Sequence, residues 1–182
     1  YDLMSFPRWL GLANYTRMWE DSNFWNSLRV TLTYAFISTP LRLGVALVIA
    51  VILSQRHKLI GLYRTAFYLP SIIGGSVAVA IMWKNLFARD GVFNSMIPLI
   101  YGINPQISWG SDPRTAFGSL MLLSIWQFGA SMLIFLAGLK NIPASYYEAA
   151  VVDGANGLQK FFRITIPLLS PVIFFNLVMQ LI

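Results

Sequence analysis

The sequence predicts an all-α, polytopic helical membrane protein with about four spans. Hydrophobic residues make up 57% of its 182 residues and charged residues only 11%. Soluble domains average about 45–50% apolar and about 25% charged residues. Four apolar stretches, at residues 28–53, 67–87, 116–139 and 167–182, are near the length of about 20 residues that a membrane-spanning helix needs. We expect one transmembrane domain over residues 1–182, incomplete at both ends and truncated within its last span.

The charge and the missing motifs exclude several classes of function. The net charge is +6 but no basic cluster occurs, so nucleic acid is not an expected partner. The chain has no cysteine, which excludes disulfides and thiolate metal sites. It also lacks His-Glu-x-x-His and Gly-x-x-x-x-Gly-Lys-Ser/Thr, the zinc and nucleotide motifs. We therefore predict no catalytic residue, no metal site and no cofactor.

The first predicted span carries Arg42 near its middle. A charged side chain at that depth is costly and normally faces the interior of a helix bundle or a water-filled cavity. Two interpretations stay open. Arg42 lines a cavity, or it is a structural partner inside the bundle or near a displaced interface.

Two further features concern the second apolar stretch and the segment that follows it. The second stretch is rich in glycine, serine and alanine, which lets a neighbouring helix approach closely. Residues 92–101 are apolar but too few to cross the membrane, so we expect them at the interface.

Positive charges indicate the sidedness. Loops 55–66 and 140–166 carry six cations, and the opposite segments carry four over more residues. The positive-inside rule therefore places both loops in the cytoplasm. The six are Arg56, Lys58, Arg64, Lys140, Lys160 and Arg163.

Residues 140–166 predict two short helices joined by a bend. The spacing of Ser145 and Glu148 is that of a capping box, in which a hydroxyl and a carboxylate bond to free backbone N–H groups. Gly154 tolerates positive φ and can end the first helix. Asn156 and Gln159 repeat the capping pattern and can start the second.

The same residues carry a family resemblance. Glu148-Ala149-Ala150 is followed by Gly154 and then by Ile164-Thr165-Ile166-Pro167. This pattern resembles the signature loop of permease subunits of binding-protein-dependent ABC importers, with Ile166 in place of the usual leucine. From Ile142 to Ala155 it is most similar to the sugar-transporting branch, the maltose and glycerol-phosphate type.

The resemblance implies an ABC importer permease fold and a transport function. The chain would form part of the translocation pathway for a carbohydrate and would not itself be an enzyme. Implied partners are a homologous second permease subunit, an ABC ATPase dimer that hydrolyses ATP, an extracytoplasmic solute-binding protein and membrane lipid. The location would be the cytoplasmic (inner) membrane of a bacterium or archaeon. Residues 140–166 would be the loop that couples to the ATPase, through Ser145, Tyr147, Glu148, Ala149, Ala150, Asp153, Gly154 and Ala155.

Sugars are bound by aromatic rings and side-chain amides in partly wet cavities. The candidates for a substrate pathway are Arg42, Trp126, Gln127, Asn176 and Gln180. Polar groups in spans also form hydrogen bonds between helices, which stays an alternative for each of them. Three other functions stay open: the same machinery with a non-sugar solute, an ATP-independent channel or carrier, and a membrane scaffold. The four stretches hold no Asp or Glu, which disfavours an ion-coupled carrier.

Overall fold

The structure, a computed structural model, describes residues 9–55, 59–102 and 107–182. These residues form ten α-helices and one π-helical turn, and none of them lies in a β-strand. Arg56 and Lys58, two of the cations that indicate sidedness, fall outside the described ranges. The helices are α1 (Ala13–Glu20), α2 (Ser22–Ser54), α3 (Ile60–Ile73), α4 (Val77–Leu86), α5 (Val92–Tyr101), α6 (Ala116–Trp126), α7 (Gly129–Lys140), α8 (Ala144–Val152), α9 (Gly157–Lys160) and α10 (Ile166–Leu181); the π turn is Phe161–Thr165.

The first predicted span lies within α2. The Asp21 carboxylate accepts a hydrogen bond from the Asn23 backbone N–H at 2.8 Å, which caps the start of the helix. With 33 residues, α2 is about 50 Å long at 1.5 Å per residue. It therefore exceeds the hydrocarbon core of about 30 Å and begins before the predicted span.

The second apolar stretch is divided into α3 and α4. These helices meet at residues 74–76 with a bend of 96°. The Ser76 hydroxyl accepts a hydrogen bond from the Val79 N–H at 3.4 Å, so a new helix begins there. A Cβ at Gly74 would lie 2.7 Å from the Pro70 carbonyl oxygen, so the turn needs a residue without a side chain at that position. The sequence predicts one helix over this stretch, because its apolar composition continues unchanged through the bend.

The third apolar stretch is also divided. α6 and α7 are bent by 43° at residues 127–128. The N–H groups of Gln127 and Phe128 bond to the carbonyls of Ser124 and Ile125 at 3.2 and 3.1 Å. These bonds to the third preceding residue tighten the last turn of α6 in the manner of a 3₁₀-helix. The helix then resumes in a new direction at Gly129.

The fourth stretch begins earlier than the sequence predicts. α9, the π turn and α10 form one helix of 25 residues, Gly157–Leu181. Pro167 is therefore not the start of a separate span. Proline has no N–H to donate within the helix. It is accommodated because in the preceding π turn the N–H groups bond to carbonyls five residues earlier, which shifts the pattern of backbone bonds next to Pro167. At about 1.5 Å per residue this helix is long enough to cross the hydrocarbon core.

The span count follows from these four pieces. Among the described residues, α2 and the helix Gly157–Leu181 are each long and apolar enough to cross a membrane. Counting the pairs α3–α4 and α6–α7 as one bent span each brings the number to four. This agrees with the predicted all-α architecture of about four spans.

The segment between α4 and α6 is organised around Asn94. The Asn94 side chain is buried, and its amide nitrogen donates to the carbonyls of Arg89 and Ile107 at 2.8 and 2.6 Å. The indole N–H of Trp109 donates to its amide oxygen at 2.5 Å. Asn94 belongs to α5, which matches the predicted stretch 92–101 and is too short to span.

The core lies between α2, α7 and α10. Ala46 and Ala50 of α2 are fully buried, which lets α7 pack closely against them. Other members come from the same three helices: Leu43, Leu53, Met132, Phe135, Leu136 and Leu169. A Cβ at Gly138 of α7 would lie 2.8 Å from Leu169 Cδ1 and 3.1 Å from a Val172 methyl group. α7 and α10 therefore pack together only because residue 138 has no side chain.

We expect Gly138→Val to lower the free energy of unfolding by about 1–3 kcal/mol, the usual cost of overpacking a core. The measurement is thermal unfolding of the purified protein in detergent. Gly44→Val is the control, because a Cβ at Gly44 meets no atom within 4 Å. Equal melting temperatures for the two variants would contradict the close packing of α7 and α10.

Candidate functional site

The 140–166 segment begins with α8, which starts one residue earlier than its predicted cap. Its N-cap residue is Pro143, with φ −60° and ψ 135°, and no side chain caps the helix. Ser145 lies inside the first turn, so the predicted capping box of Ser145 with Glu148 was wrong. The physical reason is Pro143, whose ring fixes φ near the helical value and sets the chain to enter the helix at Ala144.

The end of α8 is as predicted. Gly154 has φ +74°, a left-handed conformation that L side chains rarely adopt. Its N–H bonds to the Val151 carbonyl at 3.0 Å, and the Ala155 N–H bonds to the Ala150 carbonyl at 2.8 Å. This pair of bonds is the Schellman motif, which satisfies the last carbonyls of a helix.

The second helix of the segment also starts as predicted. The Asn156 side chain accepts from the Gln159 N–H at 2.9 Å, and the Gln159 side chain accepts from the Asn156 N–H at 2.8 Å. The capping box is complete. The chain therefore turns sharply between residues 153 and 156 and enters the long helix that ends at Leu181.

The outward face of α8 combines one carboxylate with apolar groups. Glu148 is exposed, and Val151 and Val152 are 59% and 87% exposed. Tyr147 and Ala150 are half-buried on the inward face. Of the other predicted residues, Ser145, Ala149, Asp153 and Gly154 are exposed, and Ala155 is half-buried. A carboxylate beside exposed valines suits contact with another protein.

A second group of candidates meets at the bend between α6 and α7. The half-buried Arg42 of α2 donates two hydrogen bonds to the backbone carbonyl of Gln127, from Nε at 3.1 Å and from a terminal nitrogen at 2.6 Å. The structure thus brings together Arg42 and Gln127, which are 85 residues apart. Arg42 faces the bundle interior, and this partner is a carbonyl oxygen.

Ser71 of α3 joins the two sides of the same bend. Its hydroxyl donates to the Gln127 carbonyl at 2.9 Å and accepts from the Ala130 N–H at 3.1 Å. The Ser71 hydroxyl thereby bonds the carbonyl of Gln127, at the end of α6, and the N–H of Ala130, in the first turn of α7. In a straight helix, other backbone groups of the same helix would bond to this carbonyl and this N–H.

Two glycines allow this close approach. A Cβ at Gly74 would lie 2.8 Å from Cγ of the Gln127 side chain, which therefore packs on the bend between α3 and α4. A Cβ at Gly129 would lie 2.7 Å from the Tyr68 Cα. We call Arg42, Ser71, Gly74, Gln127 and Gly129 the helix-break cluster.

The remaining pathway candidates lie in three different surroundings. The Trp126 ring packs edge-on against Trp83, with ring centroids 5.8 Å apart. Gln180 donates through Nε2 to the Ser131 hydroxyl at 3.0 Å, a bond between α10 and α7. Asn176 is fully buried, and within the described part of the chain neither atom of its amide has a hydrogen-bond partner. Gln180 thus makes the kind of interhelical bond that was the alternative to substrate contact.

The sequence does not identify Ser71 and Ser131 as site residues. Each is a hydroxyl in an apolar run, a position where a polar group needs a partner inside the protein. That signal identifies such residues as bonded but does not identify the partner.

We expect Arg42→Met to destabilise the protein by about 1–3 kcal/mol, because it removes two donors from a carbonyl in an apolar region. Thermal unfolding in detergent and the yield of folded protein measure this. Arg29→Met is the matched control, since Arg29 is exposed on the same helix. If the two variants unfold at the same temperature, the bond to Gln127 contributes nothing.

We also expect Gly154→Ala to speed amide hydrogen exchange in α8 by about 5- to 30-fold, because a left-handed residue with a Cβ costs about 1–2 kcal/mol. Mass spectrometry of peptides covering α8 gives the rate. Gly157→Ala is the control: Gly157 has no positive φ and a Cβ there meets no atom within 4 Å. Unchanged exchange in Gly154→Ala would show that the bend does not require the left-handed conformation.

Comparisons with known proteins identify relatives of this chain. The model of the family described as "Binding-protein-dependent transport system inner membrane component" matches residues 22–182. The chain is 60% identical to the probable ABC transporter permease protein YesP of Bacillus subtilis, covering 100% of the chain and 59% of that relative. It is 36% identical to the lactose transport system permease protein LacF of Rhizobium radiobacter, covering 91% of the chain and 56% of LacF.

A solved structure shows the same fold. A bacterial ABC transporter that imports the acidic polysaccharide alginate matches with a TM-score of 0.81 and 24% identity, over 94% of this chain and 60% of the other. The chain thus spans about 60% of the length of the relatives it matches. With a family model that covers residues 22–182, the chain belongs to the inner-membrane components of binding-protein-dependent transport systems.

Proposed function

We propose that this chain is the membrane-spanning permease part of an ATP-driven importer and forms part of the translocation pathway for a carbohydrate. Family membership supports the transport role. The carbohydrate assignment is supported by the names of relatives, which include transport systems for lactose, trehalose/maltose and arabinooligosaccharides. Transport of a non-sugar solute by the same machinery is the alternative, and a substrate screen separates the two.

The observation that carries the proposal is the exposed face of α8. Its Glu148 carboxylate lies beside Val151 and Val152, and the bend at Gly154 leads directly into the helix that ends at Leu181. A docked ATPase subunit can bury the valines and pair a basic group with the carboxylate. We infer that residues 140–166 are the coupling loop, and that Ser145, Tyr147, Ala149, Ala150, Asp153 and Ala155 shape or line its contact.

The helix-break cluster is the proposed centre of the substrate pathway. Non-helical backbone at membrane depth is tolerated only where protein buries it or a cavity lies beside it. Trp126 and the Gln127 side chain lie at this bend and offer the ring and the amide that sugars bind. In the proposed cycle Arg42 holds the bend, while Gln180 and Asn176 become available to substrate only when the bond to Ser131 and the packing of α10 change.

The proposed assembly places other subunits on both sides of the membrane. A homologous second permease completes the pathway, an ABC ATPase dimer binds the cytoplasmic face, and a solute-binding protein delivers the substrate from outside. ATP hydrolysis takes place on the ATPase dimer, and the chain itself is not an enzyme. Lipid of the bacterial or archaeal cytoplasmic membrane surrounds the exposed apolar side chains.

We expect Glu148→Gln to weaken binding of the ATPase by about 30-fold or more, because losing one partner of a buried charge pair costs about 2–5 kcal/mol. The whole transporter is reconstituted into proteoliposomes. ATP-dependent uptake is then measured with the sugar that most raises the melting temperature of the binding protein. The amount of ATPase that remains bound to the purified permease measures the loss of binding.

Glu20→Gln is the control, since it makes the same chemical change at an exposed position of α1. Normal uptake by Glu148→Gln would remove α8 from the coupling role. Uptake by the unmodified complex without ATP would favour a channel or carrier over an importer.

A further inference from the structure

The N-terminal part of the helix Gly157–Leu181 contains a buried hydroxyl. Thr165 is 5% exposed and lies at the end of the π turn. In that turn the Ile166 N–H bonds to the Phe161 carbonyl, five residues earlier, so the backbone is wider there than in an α-helix. The Thr165 hydroxyl donates to the carbonyl of Lys160 at 3.4 Å.

The same hydroxyl contacts α8. The phenol oxygen of Tyr147 lies 2.9 Å from Thr165 Oγ1, although the two residues are 18 positions apart. A threonine hydroxyl has one proton to donate and two lone pairs. With its proton directed to Lys160, Thr165 accepts from Tyr147. In this arrangement the Tyr147 hydroxyl donates to Thr165; the distance of 2.9 Å between the two oxygens also allows the reverse direction.

The contact between Tyr147 and Thr165 matters because α8 packs little against the other helices. In the described part of the chain α8 packs extensively against no other helix. Its outward residues are exposed, and Tyr147 is half-buried on the inward face. The long helix, in contrast, packs into the core through Leu169 and bonds to α7 through Gln180.

We propose that Tyr147 and Thr165 are positioning residues that link α8 to the long helix, so that a displacement of α8 moves α10. The inference rests on the proposed function, in which the ATPase displaces α8. It adds the route by which that displacement reaches the spans. The bend at residues 153–156 also joins α8 to the long helix, and without the bond it can absorb the motion by changing its backbone angles.

The test uses a thiol on α10 as the reporter. The chain has no cysteine, and Ser170 is exposed in the first turns of α10, so Ser170→Cys places one thiol there. The thiol replaces the hydroxyl that donates to the Pro167 carbonyl, and every variant below carries this same replacement. In the complete transporter in proteoliposomes, the rate of its alkylation by N-ethylmaleimide is compared with and without Mg-ATP and orthovanadate, which trap the ATPases closed. This needs no knowledge of the transported sugar.

We expect the nucleotide-dependent change in alkylation rate to fall about five-fold when Tyr147→Phe or Thr165→Val is added. A factor of about five corresponds to the net free energy of one hydrogen bond. The double variant should show no further loss, because both changes remove the same bond. Thr165→Ser keeps the hydroxyl and should restore the response. Thr65→Val is the matched control, since it removes a helical hydroxyl that bonds to the Gly61 carbonyl at 3.1 Å in α3.

Several results would overturn the link. One is a full response in both Tyr147→Phe and Thr165→Val. A second is the absence of any response in the Ser170→Cys complex that keeps Tyr147 and Thr165, which would show that α10 does not follow the ATPases. A third is loss of the ATPase from both variants, which would make the pair part of the docking surface. Sugar uptake by the unmodified complex is measured separately, so failure of the link and failure of the proposed transport function remain distinguishable.

Discussion

The carbonyl of Gln127 is the group on which the arrangement of the spans depends. It lies where α6 ends and the chain changes direction by 43°. In a hydrocarbon environment an unbonded backbone carbonyl costs several kcal/mol. Arg42 and Ser71 supply three donor contacts to this one oxygen, at 2.6 to 3.1 Å. The guanidinium suits the task because it presents neighbouring N–H groups and keeps its proton in an apolar setting.

These bonds also make the two bent spans depend on each other. Arg42 belongs to α2, Ser71 to α3, and Gln127 to the junction of α6 and α7, so three predicted spans meet at this carbonyl. The Gln127 side chain packs on Gly74, at the start of the 96° bend between α3 and α4. A change of angle at one bend therefore alters the contacts of the other.

The sequence predicts features whose causes are local. Gly154 needs a left-handed backbone and Asn156 caps a helix because of the few residues around them, and both are found. The four apolar stretches are visible for the same reason. The bends were not predictable, because apolar composition continues through them and lipid imposes no alternation of polar residues. Arg42 left two interpretations open because its partner is a backbone carbonyl 85 residues away, and a carbonyl has no sequence signature.

The two prolines of α10 are accommodated by local changes in hydrogen bonding. Pro167 and Pro171 both lack an N–H, yet the helix continues from Gly157 to Leu181. The π turn shifts the bonding pattern before Pro167, and the Ser170 hydroxyl donates to the Pro167 carbonyl at 2.8 Å. A continuous helix reaches from the exposed 140–166 segment to the core at Leu169 without a hinge. The chain changes direction between α8 and this helix at residues 153–156, and the contact between Tyr147 and Thr165 bridges that bend. In the proposed link, this side-chain contact passes a displacement of α8 to the long helix.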